Sequence, residues 1–143
     1  MNFSPSVFAQ SEPIQPKFSI GFSLNIPTDI RFCVRDIAGL EGFAVRADLG
    51  GFYFVFGAYV QAALNLEYHF AEAEKDGFYF GLGLTLVQSL LGVSGAANQS
   101  GTGIQAYLGL ELGVSFFEVG VVQFLESGYL GINRLAFGFN LYF

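Results

Sequence analysis

Nine ionisable side chains carry most of the chemical potential of this 143-residue chain: Arg31, Arg35, Arg46, Asp48, Glu67, His69, Glu111, Glu118 and Arg134. Four cations against four carboxylates can do one of two things. They can lock into a hydrogen-bonded network, because an unpaired buried charge is costly, or they can exchange partners and open a polar path. Glu111 and Glu118 flank a short turn, Gly113 to Ser115. A carboxylate pair is an acid and base couple when water and a substrate cleft reach it, and otherwise shares an arginine or a proton. His69 is the single histidine and is followed by Phe70 and Ala71, with no serine placed to pair with it. It reads as a hydrogen-bonded filler. The link Glu72, Glu74, Asp76 offers carboxylate oxygens of the kind Ca²⁺ takes, but Lys75 in its midst favours a solvated turn.

Other residues with chemical potential are quieter. The lone Cys33 excludes an internal disulfide and a multi-cysteine metal site, and reads as a small buried side chain. Gly81 and Gly83 fall inside a strand pattern, so they form no phosphate loop and instead relieve crowding. No catalytic group, metal or cofactor is expected.

The elements that must position these residues repeat every second position. In the first strand Phe18, Ile20, Phe22, Leu24 and Ile26 share one face, while Ser19, Gly21, Ser23 and Asn25 share the other. Ile30, Phe32 and Val34 then alternate with Arg31, Cys33 and Arg35, and Phe43, Val45, Ala47 and Leu49 with Ala44, Arg46 and Asp48. The cleanest run sets Val60, Ala62, Leu64, Leu66, Tyr68 and Phe70 against Gln61, Ala63, Asn65, Glu67 and His69. Four more strands follow, carrying Tyr79, Gly81, Gly83 and Thr85, then Gln105, Tyr107, Gly109 and Glu111, then Glu118 and Gly120, and finally Ala136, Gly138, Asn140 and Tyr142 on the polar or small face.

Links are expected at Pro27 to Asp29, Ala38 to Gly42, Gly50 to Gly57, Ala71 to Gly77, Gln88 to Gly103, Gly113 to Ser115 and Leu125 to Arg134. Whether Gly50 to Gly57 extends a strand or forms a loop is open. Eight strands alternating in this way predict an all-β, eight-stranded antiparallel up-and-down barrel over residues 17–143. Residues 1–16 form a separate N-terminal segment. Within it Val7, Phe8 and Ala9 before Gln10 fit the small-residue pattern of an export-signal cleavage site, although no basic start or apolar run precedes them.

Composition identifies the solvent of the apolar face. The chain is 52% apolar and 13% charged, with a mean hydropathy of +0.50, where about a quarter charged is usual. Small soluble domains expose too much surface for that balance. No run of about 20 apolar residues provides a membrane helix, which leaves a closed barrel as the way to satisfy every backbone group in lipid. A soluble barrel of the lipocalin kind would put its apolar face inward. Here the opposite face mixes charge with glycine and alanine, which suits a narrow lumen. The net charge of -6 excludes nucleic acid as a partner.

At this point the chain resembles the small bacterial outer-membrane barrels of the outer membrane protein A transmembrane type. Gly138, Leu141 and Phe143 fit the final-strand pattern of those proteins, which the barrel-assembly machinery reads during biogenesis. Ala136 departs from it, where a polar residue is common, and Trp is absent, leaving Tyr and Phe for the interfacial girdles. The resemblance implies a monomeric protein of the bacterial outer membrane in contact with its lipid, with both termini on the periplasmic side. The expected role is structural or anchoring, without catalysis, around a lumen filled by the nine charged residues. A narrow ion or small-solute pore is the alternative, and a lipid-modifying enzyme the third reading.

Overall fold

A computed structural model of the chain describes residues 15–24, 28–54, 57–73, 75–92, 100–128 and 130–143. Among these, eight strands follow one another: β1 (Lys17–Leu24), β2 (Thr28–Arg35), β3 (Phe43–Phe54), β4 (Gly57–His69), β5 (Gly77–Gly92), β6 (Ser100–Leu112), β7 (Ser115–Phe124) and β8 (Leu130–Tyr142). Each pairs antiparallel with the next, and β1 returns to pair with β8 through Ser19↔Tyr142 to Leu24↔Phe137. The closed ring leaves no sheet edge unpaired. No helix among the described residues is long and apolar enough to cross a membrane.

The pleat sends successive side chains to opposite sides, so the sequence alternation becomes an inside and an outside. On β7, Phe116, Glu118, Gly120 and Val122 are buried, while Phe117, Val119 and Val121 are exposed. Leu64, Leu84 and Leu135 remain 60%, 57% and 62% exposed, whereas Arg31, Arg46 and Glu67 are 2% exposed and Glu118 is 0%. This is the inverse of a soluble barrel. A row of aromatic rings marks one end, where Tyr68 meets Phe43 and Phe70 edge-on at centroid distances of 5.0 and 5.1 Å.

Several link boundaries differ from those expected. Thr28 and Asp29 belong to β2, with Asp29 buried opposite Ser23, while Pro27 lies outside the described residues. The strand β3 continues to Phe54 and β4 begins at Gly57, so most of the ambiguous stretch is strand. The Gln88 to Gly103 link is much shorter, because β5 runs to Gly92 and β6 starts at Ser100, pairing Gln88↔Ser100 and Leu86↔Thr102. Weak strand formers such as Gly and Ser are held there by ladder hydrogen bonds that neighbouring strands supply, and context overrides propensity. The Leu125 to Arg134 link is shorter as well, because β8 begins at Leu130 and Arg134 pairs with Gly120. The expected Ala38 to Gly42 turn holds a short 3₁₀ turn, Ile37–Gly39, and is tied by the Gly42 N–H donating to Asp36 Oδ1 at 2.9 Å. Gly42 has φ +79°, and an added Cβ would lie 2.6 Å from the His69 carbonyl oxygen, so this position requires glycine. The expected cleavage-site residues Val7 to Gln10 lie outside the described residues.

Candidate functional site: a charged network inside the barrel

All nine residues singled out from the sequence lie inside the barrel and are buried. The centre of the network is Glu118 on β7. Its Oε1 accepts from Arg31 Nη1 at 2.9 Å, Arg46 Nη1 at 2.6 Å and Tyr79 Oη at 2.5 Å. Its Oε2 accepts from Arg31 Nη2 at 2.7 Å, and Arg134 Nε lies 2.5 Å away. That last approach is a close charge contact, because the Nε–H does not point along the line to the oxygen. One carboxylate thus anchors three guanidinium groups from β2, β3 and β8.

Toward the loops that join β1 to β2 and β7 to β8, Arg134 Nη2 donates to Asp29 Oδ2 at 2.8 Å, and Ser23 donates to the other Asp29 oxygen. Asp48 Oδ2 accepts from Arg134 Nη1, Arg46 Nη2 and Asn65 Nδ2 at 3.0, 3.1 and 3.0 Å. Toward the opposite end, Glu67 Oε1 takes Tyr107 Oη at 2.8 Å and faces Arg46 Nη1 at 2.5 Å. Its Oε2 faces His69 Nε2 at 3.0 Å. Arg35 donates to Glu111 Oε2 at 2.9 Å, and Tyr142 to Glu111 Oε1 at the same distance.

The network therefore includes groups that the sequence reading left out. Asp29, at the end of an expected turn, shares the inward parity of Arg31, Cys33 and Arg35, and the two-residue period extended backwards reaches it. With it, Asp29, Asp48, Glu67, Glu111 and Glu118 face Arg31, Arg35, Arg46 and Arg134, which makes five carboxylates to four arginines. Tyr79 and Tyr107 also prove to be structural donors. Their rings lie over Gly109 and Gly81, where an added Cβ would meet ring carbon at 2.1 and 2.2 Å. The glycines on these strands make room for tyrosine.

Position in the ladder does not by itself decide which charges meet. Arg31 and Asp48 are direct cross-strand neighbours on β2 and β3, but each reaches other partners across the lumen. Glu111 and Glu118 do not face one another, since Glu111 pairs in register with Phe116 and Glu118 with Gly109. Each carboxylate is instead claimed by arginine and tyrosine. His69 stacks on Tyr79 at 4.7 Å between Glu67 and Glu111.

A void of about 10 Å³ remains among Ser19, Cys33, Arg35, Glu67, His69 and Glu111, enough for roughly one water. An open depression of about 1470 Å³ lies at the end of the barrel beyond His69, bounded by Lys17, Asp36, Glu41 and Ala71 among others.

The final-strand residues divide by face. Leu141 and Phe143 point outward at 62% and 77% exposure. Gly138 is packed so that a Cβ would sit 2.0 Å from the Phe22 carbonyl oxygen and 2.7 Å from the Phe116 ring, which gives it a packing role at the β1–β8 seam.

A closed antiparallel ring of eight strands with an apolar exterior and an ion-paired interior is the architecture of the small membrane β-barrels. A solved structure with this fold is the N-terminal β-barrel domain of Pseudomonas aeruginosa OprF, with a TM-score of 0.62 over 90% of this chain and 96% of that domain. The two are 15% identical, so the likeness is one of fold. No protein-family model and no curated protein matches the sequence.

Proposed function

We propose that the chain is an integral barrel of the bacterial outer membrane whose role is structural, anchoring in the envelope through its lipid-facing surface, with the lumen closed by its charged network. The apolar exterior supports lipid as the surrounding solvent. The observation that carries the closed-lumen reading is Glu118, fully buried and held by Arg31, Arg46 and Arg134 at the middle of the barrel, with space for about one water nearby. An eight-stranded interior is just wide enough for side chains to fill. Monomeric insertion and delivery by the barrel-assembly machinery, with Leu141 and Phe143 as exposed recognition residues, belong to the same reading.

A narrow pore is the second reading, favoured by the sharing of one carboxylate among three arginines. Such a centre can pass Glu118 from one partner to another. Recording from the purified protein in a planar lipid bilayer separates the two. The structural reading expects no steady conductance at moderate voltage, and a stable open level would replace it with the pore.

A further inference from the structure

Three side chains of the lumen converge on one point that the ion-pair network leaves unused. We infer that Cys33 Sγ, Glu67 Oε2 and His69 Nε2 form a binding site for a borderline divalent cation of the zinc type. The three donor atoms come from β2 and β4, lie within 4.8 Å of one another, and belong to buried residues. Sγ is 3.8 Å and Nε2 is 3.0 Å from Oε2. Tetrahedral zinc with bonds of about 2.0 Å to nitrogen or oxygen and about 2.3 Å to sulfur sets donor separations of roughly 3.3–3.5 Å. The two separations to Oε2 are within a few tenths of an ångström of those values, and the Cys33 and His69 donors, within 4.8 Å, close on the ion by side-chain adjustment. Thiolate, imidazole and carboxylate together are a donor set that suits zinc and disfavours Mg²⁺ or Ca²⁺.

The surroundings are built for the same task. Glu67 Oε1 is occupied by Tyr107 and Arg46, which leaves Oε2 turned toward Cys33 and His69. The second ring nitrogen of His69 lies 3.4 Å from Glu111 Oε2 with no aligned hydrogen bond. Metal-binding histidines commonly hand that N–H to a carboxylate, and Glu111 is placed to accept it. The void of about 10 Å³ borders all three donors and provides a fourth position for one water. His69 also lines the open depression at the end of the barrel, so it stands between the site and solvent.

Arg31, Arg35 and Arg46 border the void, and their charge opposes a cation. All three are engaged by carboxylates, Arg31 by Glu118, Arg35 by Glu111, and Arg46 by Glu118, Asp48 and the Oε1 of Glu67.

The test uses the full chain folded in detergent, with Co²⁺ as the probe and Zn²⁺ as competitor. One equivalent of Co²⁺ is expected to produce a thiolate-to-metal charge-transfer absorption that Zn²⁺ abolishes. Cys33→Ser removes the band, and His69→Gln or Glu111→Gln weakens binding by about tenfold or more. Folding of each variant is checked by heat-modifiable gel migration. The decisive reading is made on the unaltered protein and does not depend on any variant. Absence of the thiolate band overturns the assignment, as does metal binding without it, the outcome expected of an acidic surface link such as Glu72 to Asp76.

Discussion

Arg31 on β2 and Glu118 on β7 meet across the lumen through two parallel hydrogen bonds, Nη1 to Oε1 at 2.9 Å and Nη2 to Oε2 at 2.7 Å. Planar, doubly bonded pairs of this kind add geometric specificity to charge attraction. The Arg31 guanidinium also lies 3.6 Å over the Phe116 ring, so its position is defined from two sides. Because β2 pairs with β1 and β3, and β7 with β6 and β8, the pair links strands that share no ladder.

Replacing Glu118 by Gln keeps the shape and removes the charge that Arg31, Arg46 and Arg134 share. Breaking a buried pair from one side typically costs about 3–5 kcal/mol. The unfolding midpoint in urea, measured on the barrel inserted into lipid vesicles, should fall accordingly. Glu72→Gln provides the contrast, since its 2.6 Å pair with Lys75 is mostly exposed and solvent weakens it. That variant should unfold with the parent. Equal behaviour of the two would mean that the network contributes nothing to stability.

Gly138→Ala should impair folding of the purified chain in detergent, where no assembly machinery is present. The added methyl would press on the Phe22 carbonyl and the Phe116 ring, and overpacking of this kind costs about 1–3 kcal/mol. Gly51→Ala should be tolerated, because its nearest neighbour is at 3.4 Å. The heat-modifiable fraction on a gel measures both. Normal refolding of the Gly138 variant, joined to poor assembly in cells, would shift the role of this residue from packing to recognition.

The faces of the strands are readable because the pleat imposes a period of two over most of each strand, broken only at the register shifts near Tyr59 and Val121, so Arg31, Glu67 and Glu118 sort inward from alternation alone. What alternation does not carry is which inward residues meet. Arg31 and Glu118 are 87 positions apart, and Cys33 and Glu67 are 34 apart, with spacings set by strand and link lengths and by ring closure. Asp29 was hidden by a different cause. Proline followed by Thr28 and Asp29 carries the composition of a turn, and the strand signal beneath it is short. Gln88 to Gly92 and Ser100 to Gly103 were read as loop because their residues favour turns, yet the ladder extends into them.

The lipid-facing surface makes an independent prediction. Leu64 and Leu84 are cross-strand partners on β4 and β5, both more than half exposed. Leu84→Arg should destabilise the vesicle-inserted barrel by about 2–4 kcal/mol if this position lies near the bilayer midplane, and Leu112→Arg, one residue from the Gly113 turn, by about 1 kcal/mol or less. Urea unfolding in vesicles measures the difference. Equal and small effects at the two sites would argue that water, not lipid, surrounds the outer face.

Glu126, in the link between β7 and β8, is an exposed carboxylate with a defined structural task. It accepts the Thr102 N–H at 2.8 and 3.0 Å through its two oxygens, tying the link to the start of β6. Hydrogen bonds from its own backbone N–H and from Thr102 favour the ionised form and hold its pKa below the usual 4.5. A depressed folded value means that the tie is fully present above the unfolded pKa and is lost only as the pH falls through the lowered one. Amide exchange at Thr102, followed by NMR in detergent micelles and corrected for intrinsic exchange rates, should therefore stay protected at mildly acidic pH and accelerate below the ordinary carboxylate range. Glu126→Gln should remove that transition, and an unchanged acid transition in the variant would assign it to another group.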